Sequence, residues 1–170
     1  MISEIGRRGR GFPHLINLND PDLLLGLWQG TINSYAPDKK EDWDWVVLDW
    51  VVLVGKVWEA HGRTVAKATQ FIPSSFGRAP RNIAEKINSG YKASEYQLYL
   101  LGLAPTLLRH ILPDKYWVNY CKYVSGTRTF QRWAISPEDL RENHRLLCEF
   151  ENEFEDLYYQ RREDRIHFIQ

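Results

Sequence analysis

Four cations, Arg78, Arg81, Lys86 and Lys92, punctuate the stretch 77–96, GRAPRNIAEKINSGYKASEY, with Phe76 and Tyr91 among them. Cations interleaved with aromatic rings can hold a nucleic-acid backbone, the charges resting on phosphates and the rings against bases. The same residue types also describe a solvated loop. Metal chemistry has a thinner basis. His144 and Cys148 lie four apart and would share one face of a helix. A metal ion would need two more ligands, and His14, His61, His110, His167 and Cys121 are scattered without ligand spacing. Asp20 and Asp22 could work as paired acids, but Asp20 is explained more simply as a helix N-cap before Pro21. The tail EFENEFEDLYYQRREDR sets acids on successive turns and then bases, the pattern of a solvated helix face whose charges complement the helix dipole. The sequence contains no Gly-rich phosphate loop, nucleophile elbow or paired-cysteine zinc motif.

These side chains need a scaffold, and the hydrophobic pattern predicts a mainly α one, a single-domain irregular bundle of about five to six helices. Residues 1–12 read as a flexible basic leader, and 13–170 as one helical domain. LLLGLWQGTI forms a short apolar helix behind Asp20 and Pro21, and 33–41 is a polar loop around Pro37. In WDWVVLDWVVLVGKVWEAHG the β-branched residues suit a strand, yet Trp43, Val47, Trp50, Val54 and Val57 fall on one helical stripe. A helix is favoured there, with Gly55 as its weak point, and 56–69 is helical as well. DWVVL occurs twice in tandem, at 44–48 and 49–53. Five residues advance a helix by ~140° beyond a full rotation, so Trp45 and Trp50 would face different sides. Pro73, Gly77 and Pro80 mark a loop. Residues 94–112 repeat apolar side chains at helical spacing, with a kink at Pro105. Pro113 opens a further helix through Tyr116, Tyr120 and Val124. Ser136, Pro137, Glu138 and Asp139 are a strong start signal for the last, which runs to about Tyr159.

Composition bounds the function. A chain of 170 residues, 44% hydrophobic, can bury one real core. Its formal net charge of +0 builds no long-range attraction to nucleic acid or anionic membrane into the whole, so any such attraction must be local. Seven Trp, nine Tyr and seven Phe are a heavy aromatic load, suited to cores and interfaces. Two cysteines are too few for a disulfide framework and point to a reducing, intracellular compartment. MISEIGRRGRGF lacks the apolar run of a signal peptide, and no run approaches the ~20 apolar residues of a spanning helix, so no membrane partner is expected.

A longer pattern emerges from the segments taken together. FIPSSFGRAPRNIAEKINSGYKASEYQLYLLGLAPTLLRHILPDKYWVNYCKYVSGTR resembles the helical segment of fungal transposase-like proteins of the CACTA (En/Spm) superfamily. ISPEDLRENHRLLCEFENEFEDLYYQRREDRIHFIQ is similar to the segment that follows in those proteins. HLINLNDPDLLLGLWQGTI is similar to the piece after their Asp-x-Met-His motif, with WDWVVL and VGKVWEAHG matching the stretch between. The resemblance spans 13–170.

The resemblance implies an RNase H-like nuclease interrupted by a helical insertion, a nuclear location, and cutting of DNA with two metal ions, magnesium being the expected one, held by three acids. This sequence departs from that pattern. The aspartate of Asp-x-Met-His is missing, the motif surviving at most as Pro13-His14, and the first two acids would lie upstream. Glu95 in KASEY occupies a place similar to the third acid, while a first-turn helix glutamate would stand there for electrostatic reasons alone. One carboxylate cannot assemble a two-metal site, so no cofactor is expected for this chain. Two functions follow as expectations. The chain is either a transposase-derived piece without independent catalysis, contributing DNA contacts or self-association, or a helical protein–protein interaction module with no nucleic-acid role. Apolar faces left uncovered without a nuclease core would favour a homo-oligomer through the Trp-rich residues 43–58.

Overall fold

A computed structural model describes residues 20–32 and 49–161. The leader 1–12, the loop 33–41, Trp43, Trp45, the first DWVVL copy, His14 and His167 lie outside the described residues. Among the described residues the protein is helical and without strands, the mainly α bundle expected.

Helix α1, Asp20–Gln29, buries Leu24, Leu25, Leu27 and Trp28. It ends in a glycine turn. Gly30 takes φ +67°, its N–H reaches Leu27 O at 3.0 Å, and Thr31 N–H reaches Gly26 O at 2.8 Å. Only glycine adopts that dihedral without strain.

The next described residues correct the helix expected over WDWVVLDWVVLVGKVWEAHG at 49–54, while 55–62 is helical as expected. Residues 51–54 form no helix, and Val54 is extended. The N–H groups of Val52 and Leu53 both donate to Trp28 O, at 3.0 and 2.9 Å, so the segment caps the open end of α1 instead of coiling. Its β-branched Val-Val-Leu-Val run suits that conformation. Gly55, at φ +48°, turns the chain into helix α2, Gly55–Ala68, so the glycine marks the helix's start and not a weak point within it. α2 buries a narrow stripe, His61, Gly62 and Val65. A Cβ on Gly62 would stand 2.1 Å from Asn82 Oδ1 and 2.6 Å from Ala84 Cβ. That contact draws α2 close to helix α3, Ile83–Lys86, whose cap is the Asn82 side chain accepting from Ala84 N–H.

The expected kink at Pro105 takes a specific form. α4, Ala93–Leu98, opens into a wider π turn, Tyr99–Leu103, before α5, Ala104–Leu107. Within the turn the Ala104 N–H bonds back to Tyr99 O. In that register the Leu100 carbonyl would look to residue 105 for a donor, and proline has none. The Tyr120 hydroxyl supplies it from the neighbouring helix, and Trp117 Nε1 donates to Pro105 O at 2.7 Å. The chain leaves the α-helical path after Leu107, short of the expected Leu112.

Helix α6, Asp114–Thr129, and helix α7, Pro137–Phe154, pack against each other over Gly126, where a Cβ would meet Leu147 Cγ at 2.6 Å. The expected start signal holds: Ser136 Oγ accepts from Asp139 N–H at 3.0 Å. α7 continues through a π turn, Glu155–Tyr159, the end expected.

The core is aromatic. Trp28 donates to Tyr158 Oη at 3.0 Å and meets Tyr120 edge-on at 5.1 Å. Trp50, 3% exposed, packs edge-on against Tyr116 and Tyr158 at 5.6 and 5.4 Å. The described part of the Trp-rich stretch therefore turns inward at Trp50, leaving Trp58 half-buried and Val54 and Val57 exposed.

Tyr120→Phe keeps the ring and removes the donor that the Leu100 carbonyl depends on. It is expected to lower the unfolding free energy by about 1–2 kcal/mol in urea denaturation; an unchanged midpoint would show that this carbonyl finds another donor.

Candidate functional site

The basic loop closes on one buried carboxylate. Glu95 is the third residue of α4, and its side chain has 0% exposure. Arg81 grips it with two prongs, Nε to Oε1 at 2.7 Å and Nη2 to Oε2 at 2.9 Å. The Arg81 backbone N–H adds a bond to Oε1 at 3.3 Å, and the Lys92 N–H one to Oε2 at 3.0 Å. Arg78 Nε stands 3.5 Å from Oε2. Arg81 Nη2 also bonds Gly90 O at 2.8 Å, and the Tyr91 hydroxyl returns to Arg81 O at 3.4 Å. One carboxylate thus ties positions 78, 81 and 92 to the first turn of α4. Gly77 and Gly90, at φ +86° and +75°, supply the turns that bring them there.

Burial by itself would push the Glu95 carboxyl up. The Arg81 guanidinium and the N–H groups of Lys92 and Arg81 outweigh it and hold the carboxyl below its usual range. A depressed acid stabilises the fold above its unfolded value, near ~4.3, and that contribution is lost as pH falls through the lower folded value.

The site residues named from the sequence separate into distinct roles. Arg81 is spent on Glu95. Arg78 keeps 53% of its side chain exposed, and Lys92 is exposed. Lys86, the last residue of α3, is half-buried. The aromatics at the mouth of the loop face solvent, Phe71 at 80% and Phe76 at 65%, whereas Tyr91 is buried.

Glu95 does not fit a magnesium ion. Both oxygens already accept from N–H donors, and the nearest charges are guanidinium groups, which oppose a second cation. Among the described residues no three His, Cys, Asp or Glu side chains gather where they could hold a metal. His144 and Cys148 do meet on α7, Sγ lying 3.7 Å from Nε2, without a third ligand beside them. Several acids of α7 are engaged by bases: Arg145 pairs with Glu142 and Glu149, and Lys122 with Glu149 and Glu153.

His61, in the sequence only one of several scattered histidines, is a second polar position of note. It is 3% exposed, its Nε2 lies 2.8 Å from the Tyr99 hydroxyl, and its ring stacks on Trp58. Burial pushes it down to about 4, so it is neutral at pH 7. It floors an open cleft of about 350 Å³ between α2 and α5, walled by Val57, Ala60, Thr64, Leu107 and Ile111, with Lys56 also lining it. The sequence signal was faint: a histidine on the apolar stripe of α2 with Trp58 three residues before it.

No protein-family model, curated protein or solved structure matches this chain.

Two outcomes are expected. Glu95→Ala strips donors at positions 81 and 92 of their acceptor and should cost about 2–3 kcal/mol in urea unfolding at pH 7; a change below about 0.5 kcal/mol would mean the network is not stabilising. His61 stabilises the fold fully above its unfolded value of ~6.5, and this is lost as pH falls through the folded value of about 4. Wild type should therefore lose about 3 kcal/mol more than His61→Gln between those pH values, read from urea unfolding at stepped pH. Parallel pH profiles would contradict it.

Proposed function

We propose that this chain is a non-catalytic helical module of a transposase-like protein, and that its stapled loop contacts nucleic-acid phosphates through Arg78 and Lys92. The observation that carries this is the state of Glu95. Its oxygens are committed to Arg81 and to two backbone N–H groups, which leaves none for a catalytic metal. The same bonds hold the backbone of Lys92 and the guanidinium of Arg78 to one point on the surface. With Arg81 neutralised by Glu95, residues 71–96 leave Arg78, Lys86 and Lys92 against the single acid Glu85, in a chain whose net charge is +0, so the attraction is local. A nuclear location, and a magnesium-dependent nuclease core contributed by segments beyond the resemblance, belong to the same reading and ask nothing of Glu95.

A second reading, a protein–protein interaction module, draws on Phe71 and Phe76, whose rings are exposed on the same loop. Large exposed apolar side chains in one neighbourhood are a mark of protein contacts.

Fluorescence anisotropy with a labelled duplex separates the two. The phosphate reading expects binding at low salt that weakens linearly in log–log form as salt rises, each phosphate-neutralising cation contributing a slope of about −0.9. Arg78→Glu with Lys92→Glu should reduce the slope magnitude by about 2. No binding at low salt, or binding indifferent to salt, would overturn it and leave the protein-contact reading.

A further inference from the structure

Resting on the phosphate reading above, we propose that the loop takes single-stranded DNA, whose bases stack on Phe71 and Phe76 while Lys67, Arg78 and Lys92 meet its phosphates. The two exposed rings are what phosphate contacts alone leave unexplained. Phe71 closes one short 3-10 turn, Thr69–Phe71, and Phe76 closes another, Ser74–Phe76. The backbone that carries them is hydrogen-bonded. Ile72 N–H donates to Thr69 O at 3.1 Å, Phe76 N–H to Pro73 O at 3.0 Å, and Gly77 N–H to Ser74 O at 3.1 Å. Pro73, between the turns, holds its φ at −60°. Rings set on an ordered backbone lose little further freedom when a ligand stacks on them.

A phenyl ring has no donor or acceptor for a phosphate or a groove edge; what it offers a nucleic acid is a face. In a duplex the base faces are covered by their neighbours, whereas in a single strand they are open to aromatic stacking. Five positions separate the two rings, at most about 18 Å of chain, so one strand can reach both. The charges agree with an anionic occupant. Residues 60–84 contain no Asp or Glu. Lys67, in the last turn of α2, is exposed four residues before Phe71, and among the described residues no carboxylate pairs with it. Arg78 follows Phe76 by two residues and keeps half of its side chain in solvent. Ser74 and Ser75, exposed between the rings, break up the apolar surface that a protein partner would bury. Neither a ring face nor a cation reads a 2′-hydroxyl, so RNA gains nothing over DNA here.

Rings and cations leave different marks on binding. Stacking on one ring is worth about 5- to 100-fold in affinity. It involves no charge, so it shifts affinity at every salt concentration and leaves the salt slope alone. The cations set that slope, each contributing about −0.7 on a single strand against about −0.9 on a duplex.

Fluorescence anisotropy tests the proposal with a labelled oligothymidylate of about 20 nucleotides, a duplex of the same length and the matching oligouridylate, each over a salt series. Wild type should bind oligothymidylate at least about 5-fold more tightly than duplex. The double variant Phe71→Leu with Phe76→Leu keeps apolar bulk and removes both faces. It should bind oligothymidylate about 5-fold or more weakly, with the salt slope and the duplex affinity unchanged. Phe71→Trp with Phe76→Trp restores the faces and should bind at least as well as wild type. Both positions are exposed, and urea unfolding checks that the variants keep the wild-type midpoint. Salt-dependent binding that is indifferent to the Leu changes would overturn the stacking and leave the phosphate reading standing. Duplex bound as tightly as single strand, and equally weakened by the Leu changes, would make the rings wedges between paired bases and also overturn it. Tighter binding of oligouridylate would overturn the assignment to DNA. No binding of any strand at low salt would remove this inference and the phosphate reading together.

Discussion

A carboxylate with no exposure to water is among the most demanding groups a small domain can contain, because moving it out of solvent costs several kcal/mol unless donors meet it. Glu95 is such a group, and the course of the chain from 77 to 95 is arranged to meet it. The bidentate Arg81, the two backbone N–H groups and the flanking Arg78 must all arrive at once. Bringing them there forces left-handed turns at Gly77 and Gly90 and seats Tyr91 against Tyr96 at 4.7 Å. What could have been a slack linker becomes a fixed surface because one acid has to be neutralised. That requirement also decides the chemistry open to the site. A carboxylate saturated by cations and N–H donors holds a loop; it has no lone pair to spare for a metal.

A similar logic runs through the π turn. Pro105 removes a donor, the wider register leaves the Leu100 carbonyl unmatched, and a hydroxyl from α6 answers it. The same turn places Tyr99 where its hydroxyl can hold His61. One missing N–H therefore couples α4, α5 and α6, and fixes the floor of the cleft on α2. The aromatic core works alongside these polar contacts. Trp28, Trp50, Tyr116 and Tyr158 meet mostly edge-on, and Tyr158 accepts the one hydrogen bond that Trp28 can donate. Not every polar handle in this core is met: Trp50 Nε1 is buried among the described residues without a hydrogen-bond partner.

The parts of the fold that were legible in the sequence are those set by local rules. Ser136-Pro137 with its acids, Pro113 as an opener and the periodic run up to Tyr159 each specify a helix through neighbours a few residues away, and the structure follows them. The stretch 51–54 departs from the expected helix; its hydrophobic residues fit a helical stripe and a strand equally well. The tie-breaker was remote: two N–H groups find the free carbonyl of Trp28. Pro105 announced a break, but the hydroxyl that completes it sits on another helix. The candidate site was half visible. The cations and Glu95 stood out by type, and the first-turn placement of Glu95 had an electrostatic reason of its own. Their pairing across fourteen positions, Arg81 to Glu95, had no local signal. His61 was invisible as a special residue, since only tertiary packing buries it against Tyr99.

The Glu95 carboxylate fixes the loop, and amide hydrogen exchange reads that directly. The N–H groups of Arg81 and Lys92 donate to Glu95 itself. At neutral pH both should be protected well beyond the exposed amides of the loop, and both should lose that protection in Glu95→Ala while α6 and α7 keep theirs. Fast exchange at both positions in the wild type, or protection that survives the loss of the carboxylate, would contradict the account.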